Sequence, residues 1–236
     1  DHPVEIASLT DTDFKVGGVT HRMVFYGRHN GDLQRVGRDL SRVCAEHAEM
    51  FGEPVPVDNY LFMTTLVDDG YGGLEHKNST SLICKRDDLP SVHDEHIAKS
   101  GSSGDDVKDG YRSFLGLCSH EYFHLWNVKR IRPERLARSD LSAEAYTELL
   151  WAFEGITSYY DDLALTRAGV IPPKSYLELL AQSITRLYRG SGRLNQSVAE
   201  SSFYAWTKFY KQDENAPNSI VSYYTKGALV ALGLDL

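Results

Sequence analysis

The chain has 236 residues, 42% hydrophobic and 25% charged, with a net charge of −8 at pH 7. That is the composition of a globular protein with a core of its own, and the acidic balance argues against nucleic acid as the main partner. Its three cysteines, Cys44, Cys84 and Cys118, form no C-x-x-C pair, which argues against a thiolate zinc site; no apolar run is long enough to span a membrane.

In chain order, His21–Tyr26 and Tyr60–Val67 are β-branched and aromatic runs that predict strands. Between them, Asp32 to Phe51 repeats apolar residues at Leu33, Val36, Leu40, Val43 and Ala48, a helical period ended by Gly52 and Pro54. His47 on this helix reads as a surface or interface residue, and the cysteines read as buried free thiols. Ser79–Cys84 is a further short strand. From Asp87 to Gly110 the chain is polar and rich in Gly and Ser, as a mobile loop would be. Its His93-Asp94-Glu95-His96 lacks a helical i,i+4 pair and reads as solvated surface.

Helices dominate from Tyr111. Phe114, Leu115, Leu117, Cys118, Phe123, Leu125 and Trp126 predict a buried helix that ends before Pro133. Ser142–Arg167 predicts a second long helix, with Ser142 as N-cap, Glu144 and Glu148 early, and Gly169 and Pro172-Pro173 after its end. Ser175–Tyr188 is a third, followed by a turn at Gly190-Ser191-Gly192. The cluster Phe203, Tyr204, Trp206, Phe209 and Tyr210 reads as core. Ser222–Leu236 is a fourth helix without a stop signal, so the chain reads as a piece of a longer protein.

The most informative stretch is His120-Glu121-Tyr122-Phe123-His124. On a helix, residues i and i+4 share a face, so two imidazoles at that spacing can bind one Zn²⁺ at about 2.0–2.1 Å each. Glu121 between them is placed to act as general base. A catalytic zinc takes a third protein ligand, which can be His, Asp or Glu. Glu154 is the best candidate, a carboxylate in the otherwise apolar helical stretch Trp151–Tyr160. Burying it requires a cation or strong hydrogen bonds; the alternative is an ion pair with Arg130 or Arg132. Gly155 next to it lets another backbone approach.

The segment from Ser119 to Pro133 resembles the zinc-binding segment of the glycyl aminopeptidase family, gluzincins with a thermolysin-like catalytic domain often followed by a PDZ domain. Trp151–Tyr160 resembles that family's third-ligand helix, Tyr71–Ser79 its substrate-edge motif, and His2-Pro3-Val4-Glu5-Ile6 the start of its catalytic domain. Gly72-Gly73-Leu74-Glu75 also resembles the G-x-M-E-N edge strand of the larger zinc aminopeptidase group, although His76 and Lys77 depart from that pattern. Glycines let a substrate backbone approach, an edge strand can pair with an extended peptide, and the Glu75 carboxylate can hold a free α-amino group. The alternative is a β-turn with an exposed Glu. Tyr224, in Tyr223-Tyr224-Thr225-Lys226-Gly227, resembles the Y-x-K-G tyrosine whose hydroxyl stabilises the tetrahedral oxyanion; with 14 Tyr in the chain, a core aromatic is the alternative.

The expected fold is therefore α+β, a thermolysin-like gluzincin catalytic domain. Residues 1–110 form a lobe with a mixed β-sheet and the substrate edge at Gly72 and Gly73. Residues 111–236 form a mainly α-helical zinc-binding lobe, with one Zn²⁺ in the cleft between the two. The resemblance implies that His120, His124 and Glu154 hold the zinc, that Glu121 and Tyr224 are catalytic, and that Glu75 binds the substrate N-terminus. It implies removal of small residues, Gly or Ala, from peptides with a free N-terminus. The protein is expected to be soluble, cytoplasmic or periplasmic, with the compartment not set by the sequence. A zinc endopeptidase on the same frame, or a non-catalytic peptide-binding scaffold, is the alternative.

Overall fold

A computed structural model describes residues 3–52, 54–91, 107–140 and 142–236. The chain divides into two compact units, Asp1–Leu125 with Leu163–Pro173, and Trp126–Asp162 with Lys174–Leu236. The expected His93–His96 surface and most of the expected loop lie outside the described residues.

The first unit is built on a five-stranded mixed sheet of β1 (Thr10–Val16), β2 (Val19–Tyr26), β3 (Asn59–Val67), β4 (Gly72–Glu75) and β5 (Ser79–Lys85), in the order β1-β2-β3-β5-β4. β1 and β2 form a hairpin. Gly17 and Gly18 at its turn both have left-handed φ, 55° and 81°, the combination a tight two-residue hairpin turn requires. β1 was not foreseen, because a strand that buries only Thr12 and Val16 is mostly polar. β2, β3 and β5 run parallel, and β4 pairs antiparallel with β5 as an edge strand. Along β3 alternate residues Tyr60, Phe62, Thr64 and Leu66 are buried, the period-2 pattern of a half-buried sheet.

α1 (Leu33–Phe51) connects β2 to β3 and starts at Asp32, whose carboxylate accepts from the Arg35 N–H. It buries Val36, Leu40, Val43, Cys44, His47 and Ala48. His47 is thus not a surface residue. It lies one turn beyond Val43 on the apolar stripe, and that position carries it into the core. α2 (Asp109–Phe123) is buried along nearly its whole length, from Tyr111 through Phe114, Leu117 and Cys118 to Phe123. All three cysteines are buried and free, and burial pushes the Cys84 thiol up to about 12.

Among the described residues the second unit contains helices and no strand beyond an isolated Asn127–Ile131 bridge. A π-helical turn, Trp151–Gly155, leads into α3 (Ile156–Arg167), which ends within the first unit. α4 (Pro173–Arg189), α5 (Val198–Phe203), a second π-helical turn at Ala205–Phe209 and α6 (Tyr223–Asp235) complete it, with short helical turns at Glu134–Ala137, Gly192–Asn195 and Ala216–Ser219. Residues 142–149 do not form the start of one long helix. The Ser142 N–H donates to Asp140 Oδ1 and the Leu149 N–H to Thr147 Oγ1, local bonds that compete with helix. The aromatic cluster is not core either. Tyr204, Trp206 and Tyr210 are 40%, 48% and 63% exposed, because the turn they flank buries only Ala205. α6 begins at Ser222, whose hydroxyl accepts from the Thr225 N–H. No described helix is long and apolar enough to cross a membrane.

Candidate active site

His120 and His124 stand on the last turn of α2, with ring centroids 4.7 Å apart and planes at 86°. His124 is the C-cap residue but keeps right-handed helical backbone, φ −62° and ψ −14°, so the i,i+4 spacing survives the helix end.

Glu121 is only 5% exposed and faces the edge strand. A Cβ added to Gly73 of β4 would stand 2.6 Å from Glu121 Cγ and closer still to its carboxylate. The β4 backbone therefore passes directly against the expected general base, which only a glycine there allows. Carboxylate and imidazole atoms of Glu75, Glu121 and His124 all lie within 4.8 Å of one another. Two carboxylates that close repel, and a positive group between them would relieve the repulsion. β4 is the outer strand of the sheet, with Gly72 opposite Ile83 and Glu75 opposite Thr80, so among the described residues no strand pairs with its far side. The expected β-turn alternative for Gly72–Glu75 is replaced by this strand.

Three buried polar contacts brace α2 from behind, and sequence reasoning missed them. His21 Nδ1 meets the Val19 carbonyl at 3.0 Å and so carries the proton, leaving Nε2 to accept from the Tyr122 hydroxyl at 2.8 Å. His47 Nε2 meets Ser119 Oγ at 2.8 Å, and the Tyr60 hydroxyl donates to the Glu121 carbonyl at 3.4 Å. Burial lowers His21 to about 4 and His47 to about 3, so both are neutral at pH 7. The only sequence signal was a polar residue in register with the apolar positions of β2, α1 and β3.

In the second unit, Glu154 is half-buried within the Trp151–Gly155 turn. Asn127 Nδ2 donates to the Phe153 carbonyl and to Thr157 Oγ1, each at 3.2 Å, and satisfies a backbone acceptor in the widened turn. Gly155 packs directly on α6; a Cβ there would lie 2.6 Å from Gly227 Cα. That close approach puts Tyr224, on the first turn of α6, near Glu154. Burial and then the Glu154 charge push the Tyr224 phenol far above its ordinary range, so it remains a protonated donor. The Tyr210 hydroxyl lies 3.0 Å from that of Tyr223 and 3.3 Å from that of Tyr224, and Phe209 packs beside the Tyr224 ring at 6.0 Å. Tyr210 was expected only as core.

A family model described as M61 glycyl aminopeptidase matches residues 113–230. The fold is similar to that of an aminopeptidase N family protein from Idiomarina loihiensis, with a TM-score of 0.89 and 49% identity over 96% of this chain and 37% of that one. An M1 zinc metallopeptidase from Deinococcus radiodurans gives a TM-score of 0.50 at 16% identity, over 97% of this chain and 41% of that one, a likeness of fold. The chain thus spans well under half the length of these solved relatives. No curated protein matches it.

Proposed function

Because this chain belongs to the M61 glycyl aminopeptidase family, we propose that it is the catalytic part of a zinc-dependent aminopeptidase that removes N-terminal residues from peptides. The observation that carries this reading is the convergence of Glu75, Glu121 and His124 beside the edge strand β4. A peptide lying along β4 would bring its free α-ammonium to the carboxylate of Glu75.

His120, His124 and Glu154 would hold the metal. Two imidazoles and one carboxylate are a donor set suited to zinc, and three protein ligands leave a position open for substrate chemistry. Zinc, when bound, polarises a carbonyl and brings the pKa of a water down to about 7. Glu121 accepts the proton of the attacking water and returns it to the leaving amine. The Tyr224 hydroxyl donates to the carbonyl oxygen as it gains negative charge. Glu75 accepts a charge-assisted hydrogen bond from the α-ammonium, and the backbone of Gly72 and Gly73 pairs with the peptide. Membership of the family supports glycine or alanine as the residue released. Membership of the same family supports a gluzincin of thermolysin-like fold.

The test is hydrolysis of glycyl- and alanyl-anilides, with and without an N-terminal acyl block, before and after chelation. Expected are cleavage of the free-amine substrates only, loss of activity on chelation, recovery with zinc, and loss of free-amine cleavage in Glu75→Ala. Equal cleavage of blocked and free substrates would instead identify an endopeptidase. Absence of zinc from unchelated protein by elemental analysis would identify a scaffold.

A further inference from the structure

A cavity of about 710 Å³ lies wholly within the second unit. That is the size range of small-molecule sites. Its lining residues include three arginines, Arg186 and Arg189 at the end of α4 and Arg193 beyond the following turn, and no Asp or Glu. None of the three forms an ion pair among the described residues. In a protein with a net charge of −8 this is a local excess of positive charge, with no carboxylate among the described lining residues.

The arginine beyond the turn is also held in place. The Arg193 guanidinium lies over the Tyr188 ring, 4.9 Å from its centroid, and its buried Nε has no hydrogen-bond partner. The Lys226 ammonium binds the Arg193 and Gln196 carbonyls at 3.0 and 2.9 Å, tying that segment to α6. Like charges so gathered repel, and holding them together is favoured when an anion fills the space. The apolar remainder of the wall, including Phe209, Pro217 and Ile220, suits a ligand that is more than a bare halide.

We propose that this cavity binds a small anion with at least two negatively charged oxygens, the chemistry shared by phosphate esters and polycarboxylates. Guanidinium forks recognise both groups by paired N–H donors. The site involves none of the residues assigned to peptide hydrolysis.

The experiment is isothermal titration of the whole chain with pyrophosphate and, separately, with citrate, against chloride at equal ionic strength. Saturable binding of at least one with a Kd below about 1 mM is expected. Tighter pyrophosphate binding identifies the phosphate source, and tighter citrate binding the carboxylate source. Arg186 and Arg189 are both exposed, so Arg186→Gln with Arg189→Gln leaves the fold intact; it should weaken binding about tenfold or more. Unchanged affinity in that double variant, or no saturation by either anion below about 1 mM, overturns the assignment. The readout needs no substrate, so its result is independent of whether the peptidase reading holds.

Discussion

Gly73→Ala is the sharpest perturbation this structure offers. The added methyl would stand 2.6 Å from Glu121 Cγ, where ordinary contact begins at 3.4 Å, and it would overlap the carboxylate more severely. The cheap response is for the flexible end of Glu121 to withdraw by roughly 1 Å, since the backbone of β4 is tied to β5. A displacement of about 1 Å in a catalytic group costs about 10²-fold in rate, or about 2.7 kcal/mol of barrier. The assay is kcat/KM on a glycyl-anilide, with zinc content and thermal midpoint measured on the same preparation. The expected result is a fall of about a hundredfold with metal retained, because neither His120 nor His124 is touched. Gly233→Ala serves as the control; a Cβ there meets nothing within 4 Å, and activity should be unchanged. A folded Gly73→Ala enzyme with wild-type kcat/KM would refute both the packing of β4 on Glu121 and the role of Glu121 as base.

Tyr224→Phe removes one oxyanion donor and should lower kcat by about 10²–10³-fold with zinc content kept; wild-type kcat would return Tyr224 to the core aromatics. Tyr210→Phe deletes the hydroxyl 3.3 Å from it and should cost roughly one hydrogen bond, about 0.5–1.5 kcal/mol, in kcat with KM unchanged. Gly155→Ala would drive a Cβ to 2.6 Å from Gly227 Cα, a backbone clash that cannot relax like a side chain, so unfolding should show a loss of about 1–3 kcal/mol or more. His47 is neutral in the fold, with its value lowered to about 3, but takes up a proton below about 6.5 when unfolded. Its contribution to stability is therefore complete above about pH 6.5 and is lost as pH falls toward about 3. His47→Gln should flatten that part of the stability–pH curve measured by denaturant unfolding, and a slope equal to wild type would refute the assignment.

The elements legible in the sequence were those with an unbroken local period. α1 is found with its terminating glycine, and β3 by its run of β-branched and aromatic residues. Ser142–Arg167 failed because polar side chains bond their own backbone before Leu150, and propensity does not register that competition. β1 failed because a strand at the sheet edge buries too little to show a pattern.

The sequence by itself determined what depends on neighbours along one helix or strand: the paired imidazoles of His120 and His124, Glu121 between them, and the small Gly72-Gly73 edge. Only the tertiary structure decided which way that edge faces and what it touches. It set Gly73 against Glu121, and it buried His47 to meet Ser119, 72 residues away. Such contacts join positions far apart in the chain, and they are selected by sheet order and by the complementary packing of whole elements. No local spacing encodes them.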